Sequence, residues 1–374
     1  MRITHALGHS VPDLESIAAF EAAGYHRIGD FLAKGDFLPL SFDRETVLSY
    51  VLAKQGVASD TKFGTPLEAI QILPGLRSDM AARLRSRDFE PLERLHRRGL
   101  VARGLGITGH RTYCTKEQLQ LWKRTKGKPL IPAMKRLLAI IKAEGPLSHR
   151  RLYELTPLSY WDTSMAVKRL QTDLHVVRNA DHQYVAVGDT PGSVKEARKT
   201  AMEQMFRAFG IFSAESFSAY TRSKYGMGET RRLLKEFEDR GILVKGFFVR
   251  GEKRLYWMLK EDIGMIEHAT YDGQFVLTPQ DDLSLYLRES ITERWHMGVC
   301  YVIFDGPSMV GAFKARRRGS TLAIVKFEGE NSSKRILERF EKENELAVGE
   351  ERDQITDEEV MRWFETMYSK GSTK

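Results

Sequence analysis

The chain has 374 residues, 42% hydrophobic and 29% charged, with a formal net charge of +8. That length exceeds one ordinary core and implies several domains of a globular kind. No run approaches the roughly 18 to 20 apolar residues of a membrane span, and no apolar segment follows a basic start as in a secretion signal. Only two cysteines, Cys114 and Cys300, are present, which excludes a disulfide framework and a thiolate zinc cluster and points to a reducing cytoplasm.

The charge is not spread evenly. Between residues 81 and 126 there are 12 Lys or Arg against 4 Asp or Glu, a net of +8, so the rest of the chain sums to zero. Positive charge gathered on one segment is the footprint of a polyanion-binding face; its bland counterpart is a solvated basic helix face. Residues 1–40 read as a short helical pair joined by Gly24. Residues 41–128 hold the basic segment and end in a ribbon signature at Gly109-His110-Arg111. Residues 129–190 give helices over 133–142, 148–154 and 162–172, the last with Asp162 as N-cap, then a ribbon turning at Asn179-Ala180-Asp181. Residues 191–266 give helices over 194–209, 214–220 and 229–240, then ribbon strands over 243–250 and 254–259.

An internal repeat supports this division. His96-Arg97-Arg98-Gly99-Leu100-Val101 and Glu238-Asp239-Arg240-Gly241-Ile242-Leu243 are one element 142 positions apart, each closing an apolar-periodic helix on a glycine. A degenerate copy at an offset of 67 uses Val167, Leu170, Val176 and Val177. Three helices and a two-stranded ribbon, repeated, form tandem winged helices. Beyond residue 267 the period changes to strands at Phe275-Val276-Leu277, 299–304 and 322–327, with turns at Asp305-Gly306-Pro307 and Arg318-Gly319-Ser320. The expected fold is α+β: tandem winged-helix domains, a small β-rich C-terminal module over 267–328, and a helical tail over 329–374 that includes a helix at 355–367.

Three groups of residues resemble one family. Ala53-Lys54-Gln55-Gly56-Val57, Gly75-Leu76-Arg77-Ser78-Asp79 and Thr108-Gly109-His110-Arg111-Thr112 look like the first winged helix of the AlkZ/YcaQ family of crosslink-repair DNA glycosylases. Val276-Leu277-Thr278-Pro279-Gln280-Asp281, Asp305-Gly306 and Met309-Val310-Gly311-Ala312-Phe313-Lys314 resemble that family's C-terminal β module; the C-terminal region of Lhr-type helicases is similar. Order and spacing agree over about residues 42 to 328. Family members carry Gln-x-Gln or Gln-x-Asp where this chain has Arg77-Ser78-Asp79. Thr108, His110 and Thr112 likewise replace the Arg, Thr and His of an Arg-Gly-Thr-x-His run. The resemblance implies a tandem winged-helix glycosylase scaffold whose catalytic inheritance rests on Asp79.

The chemistry follows from residue type. Hydrolysis of an N-glycosidic bond builds positive charge on the sugar, which a carboxylate such as Asp79 can stabilise while orienting water. Arg77 can hold a flanking phosphate or pair with Asp79 and keep it ionised. The alternative for Asp79 is to cap the helix that begins near Met80. Arg83, Arg85, Arg87, Arg97, Arg98 and Arg103 are candidate phosphate contacts. His110 and Arg111 occupy the expected wing tip, and Lys314, Arg316, Arg317 and Arg318 a basic hairpin. Gln55 and Asp281 are further site candidates, Asp281 with the alternative of capping the helix that follows. No His or Cys pair has metal-ligand spacing, Gly104-Leu105-Gly106 lacks the rest of a dinucleotide fingerprint, and no phosphate loop is present, so no metal or cofactor is expected. The expected partner is double-stranded DNA, damaged or distorted, bound by a monomer in the cytoplasm or nucleoid. A non-catalytic DNA-binding protein, regulator or architectural factor, is the competing reading.

Overall fold

A computed structural model describes residues 41–347, apart from 59, 190, 223, 224, 251, 253, 267, 319 and 320, and for residues 316–323 and 343–347 only the backbone. The helical pair expected in residues 1–40 and the helix expected at 355–367 lie outside the described residues.

The first unit opens with α1 (Arg44–Lys54) and α2 (Pro66–Ile72), followed by α3 (Asp79–Arg85) and α4 (Leu92–Arg97). A hairpin of β1 (Ala102–Leu105) and β2 (Arg111–Cys114) follows, and then α5 (Lys116–Lys126). Helix α5 starts at a reciprocal Thr115/Gln118 capping box and stops where Gly127 turns left-handed. The second unit has α6 (Pro132–Glu144), α7 (His149–Glu154) and α8 (Tyr160–Thr172), then β3 (Val176–Arg178) and β4 (Tyr184–Ala186). Ser159, not Asp162, caps α8: its hydroxyl accepts from the Asp162 backbone N–H and donates to the Asp162 carboxylate at 2.6 Å. The third unit has α9 (Val194–Phe209), β5 (Ile211–Ser213), α10 (Ala214–Tyr220), α11 (Met227–Asp239), β6 (Leu243–Gly246) and β7 (Tyr256–Leu259). Its added strand β5 pairs with β7, making a three-stranded sheet.

The repeat is visible in the backbone. After α4, α8 and α11, the Leu100, His175 and Ile242 amides each donate to a carbonyl five residues back, at Leu95, Leu170 and Phe237. The residue between takes a positive φ: Gly99 at 71°, Leu174 at 60° and Gly241 at 68°. A leucine in this conformation is costly. Leu174 accepts it because its side chain is fully buried in the core of the first and third units.

The units are not equivalent beads. One core runs from α1 through α9 into residues 275–312, so the first and third units and the C-terminal module share it. Helix α9 supplies its spine, burying Ala197, Ala201, Met205, Phe206 and Phe209 at helical spacing. The second unit has its own smaller core around Met134, Leu137, Leu152, Val167, Leu170 and Tyr184. It attaches through one shared sheet in the order β2-β1-β3-β4, in which Arg103 on β1 lies opposite Arg178 on β3.

After α12 (Ile263–Ile266) the module begins with β8 (Gln274–Leu277), α13 (Asp282–Tyr286) and α14 (Arg288–Trp295). Strands β9 (Tyr301–Asp305), β10 (Ser308–Arg318) and β11 (Thr321–Gly329) complete an antiparallel meander with β8. Helix α15 (Asn331–Ala347) packs on that sheet through Ile336, Leu337 and Phe340, and Met80 of α3 joins the same apolar cluster. No helix among the described residues is long and apolar enough to cross a membrane.

Candidate active site

Backbone pairing places the segment carrying Arg77 and Asp79. Leu76 exchanges both backbone hydrogen bonds with Tyr113 of β2, at 2.9 and 2.7 Å. Gly75 is required beside it: its φ is 92°, and a Cβ there would lie 2.6 Å from the Tyr113 carbonyl oxygen. From this anchor the chain runs extended through Ser78 (φ −152°, ψ 159°). An extended backbone alone would put residues 77 and 79 on one face. The strand period ends at Asp79, where α3 begins, and Arg77 and Asp79 turn to different surroundings.

Arg77 points into the protein. Its carboxylate partner is Asp282 at the start of α13, 3.7 Å away, and not Asp79, and both side chains are 10% exposed. That separation is too long for a hydrogen bond. Arg77 Nε and Nη1, Asp282 Oδ1 and the Tyr220 hydroxyl are all buried without a hydrogen-bond partner. Burial pushes the Asp282 carboxyl up to about 7; Arg77 opposes that shift and Asp281 adds to it. Burial also raises the Tyr220 hydroxyl well above its usual range, with the Asp282 charge adding to the effect.

Asp79 faces the other way. It does not cap its own helix, because Ser78 does, accepting from the Ala81 amide. Asp79 instead accepts from the Leu92 amide at 2.8 Å and so supplies the cap that Pro91 cannot give α4. It is half-buried beside Tyr113, whose hydroxyl donates to Glu93 at 3.1 Å and whose ring lies 5.2 Å from the Arg103 guanidinium. Burial raises the Tyr113 hydroxyl; Arg103 opposes this, and the Glu93 and Asp79 charges reinforce it. Two carboxylates, a phenol and a guanidinium thus meet where α3, α4 and β2 converge. Asp79 with a polarised neighbourhood of this kind can hold water and oppose a developing cation.

Arg85 leaves the set of phosphate contacts. It is 1% exposed and forms a bidentate pair with Asp281, Nη1 to Oδ2 at 2.5 Å and Nη2 to Oδ1 at 2.6 Å. Asp281 also caps α13 through the Leu283 amide at 2.9 Å. Gln55 completes the joint: it accepts from Arg85 at 3.2 Å and donates to the Ala208 carbonyl at 2.7 Å. These three residues lock the first unit to α9 and to the C-terminal module. A helix explains the inward turn, since Arg85 lies three and four residues beyond Ala82 and Ala81 on the buried face of α3.

The other arginines stay outside. Arg83 is exposed with its guanidinium 3.7 Å from the Phe89 ring centroid, and Arg87 is exposed. Arg97 and Arg98 are exposed and share the helix surface with Glu93 at 3.7 Å and Glu90 at 2.9 Å. His110 is half-buried and Arg111 exposed at the turn of the β1–β2 hairpin, while Thr108 and Thr112 are buried beneath it. Lys314 is exposed opposite Lys326 on the β10–β11 ladder, and Arg316, Arg317 and Arg318 continue β10. Glu93, Tyr113, Asp282 and Tyr220 were not among the residues singled out from the sequence. The acidic first turn of α4 is a signal for Glu93; none in the sequence marks Tyr220 or Asp282.

This arrangement of helices, ribbons and terminal meander matches a solved structure, the Streptomyces sahachiroi DNA glycosylase AlkZ. The TM-score is 0.62 at 15% sequence identity, covering 83% of this chain and 98% of AlkZ. The chain has the AlkZ fold. No family model and no curated protein matches its sequence, so the likeness to AlkZ is one of fold.

Proposed function

We propose that this protein binds double-stranded DNA as a monomer in the cytoplasm and hydrolyses the N-glycosidic bond of an alkylated or crosslinked base. The observation that carries the reading is Asp79. In a fold shared with the DNA glycosylase AlkZ, this carboxylate sits half-buried beside Tyr113 and Glu93, directly ahead of the segment that holds the chain's net positive charge. Exposed Arg83, Arg87, Arg97, Arg98 and Arg111, with His110, would hold the phosphates and the distorted strand, and Lys314 with Arg316, Arg317 and Arg318 would add a second contact. Asp79 would stabilise the oxocarbenium-like sugar and orient the attacking water. Arg77 would act indirectly, by fixing the start of α13 through Asp282.

A non-catalytic DNA-binding role is favoured by one observation: the carboxylate of Asp79 is already in use as the cap of α4. Incubation with duplexes carrying alkylated, crosslinked, uracil or oxidised bases separates the two. Base release by the wild-type protein, lost in Asp79→Asn with DNA affinity retained, is the result expected of a glycosylase. A protein that binds every duplex, releases no base and tolerates Asp79→Asn is the non-catalytic protein.

A further inference from the structure

The second unit carries a surface that the proposed glycosylase site does not use. Among the described residues, the exposed large aromatic side chains are Tyr153 (42% exposed), Tyr160 (57%) and Trp161 (49%), and all three belong to this unit. Its core is closed without them, so folding alone gives no reason for aromatic rings here. Tyr160 opens α8, the third helix of a three-helix unit, and the start of that helix is the part such units present to nucleic acid.

The rings are held in place. Tyr153 meets Tyr160 edge-on at 5.6 Å, and Tyr160 meets His149 at 5.2 Å. Both His149 nitrogens are engaged, Nδ1 with the Tyr184 hydroxyl at 3.2 Å and Nε2 with the Ser164 hydroxyl at 3.1 Å. Burial, and after it the Arg178 charge, lowers the His149 pKa, so the imidazole is neutral at pH 7. Tyr184 in turn accepts from Arg178 at 2.9 Å and lies under its guanidinium.

Arg178 brings the row to the first unit. It faces Arg103 across the shared sheet, and each arginine lies over the tyrosine paired with it across its own hairpin, Tyr184 and Tyr113. Like charges directly opposite on a sheet repel one another. A phosphate lying between them would relieve that repulsion. Along α7 and α8 four Lys or Arg stand against two Asp or Glu from residue 149 to 169, an excess of positive charge even with Arg150 and Arg151 both paired to Glu154 at 3.2 Å.

Cations leading onto fixed, exposed rings are the components of a track for unpaired nucleotides, in which phosphates bind the cations and bases stack on the rings without regard to sequence. We infer that the second unit binds single-stranded nucleic acid, with Arg103 and Arg178 on the phosphate and Tyr160 and Tyr153 stacking bases. This rests on the DNA-binding reading above and deepens it: the strand opened at a distorted site would pass from the basic first unit onto the second.

The test uses fluorescence anisotropy of the full chain at fixed salt, with three probes: a labelled oligothymidine, a duplex with a central unpaired bubble and the same duplex fully paired. Tyr153→Ala combined with Tyr160→Ala is expected to weaken oligothymidine and bubble binding about tenfold or more and to leave the paired duplex within twofold. Tyr153→Phe with Tyr160→Phe, which keeps both rings, is expected to match the wild type. Equal losses on all three probes, or no loss on any while the wild-type protein binds them, would overturn the inference and leave the DNA-binding reading standing. A wild-type protein that binds none of the three would instead overturn that underlying reading, and this inference with it.

Discussion

The Asp282 carboxyl makes a prediction whose size follows from the structure. Its pKa is held at about 7 by burial, whereas in the unfolded chain it would titrate near ~3.9. The folded protein therefore binds the proton more tightly than the unfolded one, and stability falls as pH rises from the unfolded pKa through the folded one. The penalty is roughly 1 to 2 kcal/mol at pH 5 and about 4 kcal/mol at pH 8, by the linkage relation for a single group. Asp282→Asn removes the titration. Measured by urea unfolding with far-ultraviolet circular dichroism, the variant should gain stability relative to wild type between pH 5 and pH 8, by roughly 2 to 3 kcal/mol. The offset at either pH alone is not diagnostic, because Asn also leaves the Arg77 guanidinium without its carboxylate 3.7 Å away. The change across the window is the readout. A wild-type-to-variant difference that stays constant from pH 5 to pH 8 would refute the account of Asp282 as a buried, ionising group. Arg77→Gln should act in the opposite sense, losing more stability at pH 8 than at pH 5, because it strips the larger of the two cationic influences, Arg77 and Arg85, that favour the charged form.

The buried joint predicts a contrast between two neighbouring arginines: Arg85→Ala should cost about 3 to 5 kcal/mol by stranding Asp281, while Arg83→Ala should cost no more than about 1 kcal/mol, the worth of its exposed ring contact; chemical denaturation ranks them. Gly99→Ala should lose about 1 to 2 kcal/mol from the left-handed backbone alone, since a Cβ there meets nothing within 4 Å, and a calorimetric scan with no shift would contradict the assigned geometry. Arg83→Glu with Arg87→Glu should weaken duplex binding and flatten its dependence on salt, each lost phosphate contact lowering the slope of log affinity against log salt by about 0.9; an unchanged slope would move the footprint to the hairpin bearing Lys314.

Local chemistry determined most of the elements. The helices of the second and third units and their ribbons stand within a few residues of where apolar spacing, Gly145 and Gly241 place them, because helix periodicity and left-handed glycine caps are properties of short segments. The repeat was legible for the same reason, even where Leu174 replaces the glycine. The resemblance in the first unit and the C-terminal module likewise pointed to the fold that the structure has. Charge type, by contrast, did not reveal direction. Arg83 and Arg85 are alike in the sequence, yet one helix face carries the first to solvent and the second to Asp281, 196 positions away. Arg77 and Asp79 read as a pair, but the start of α3 at Asp79 breaks the extended period and gives them different partners. Which cations remain free for a polyanion, which carboxylate is driven toward neutrality, and which rings stand exposed were decided by burial. Burial is a property of the assembled core, because a side chain's cost in leaving water depends on what the rest of the chain brings against it.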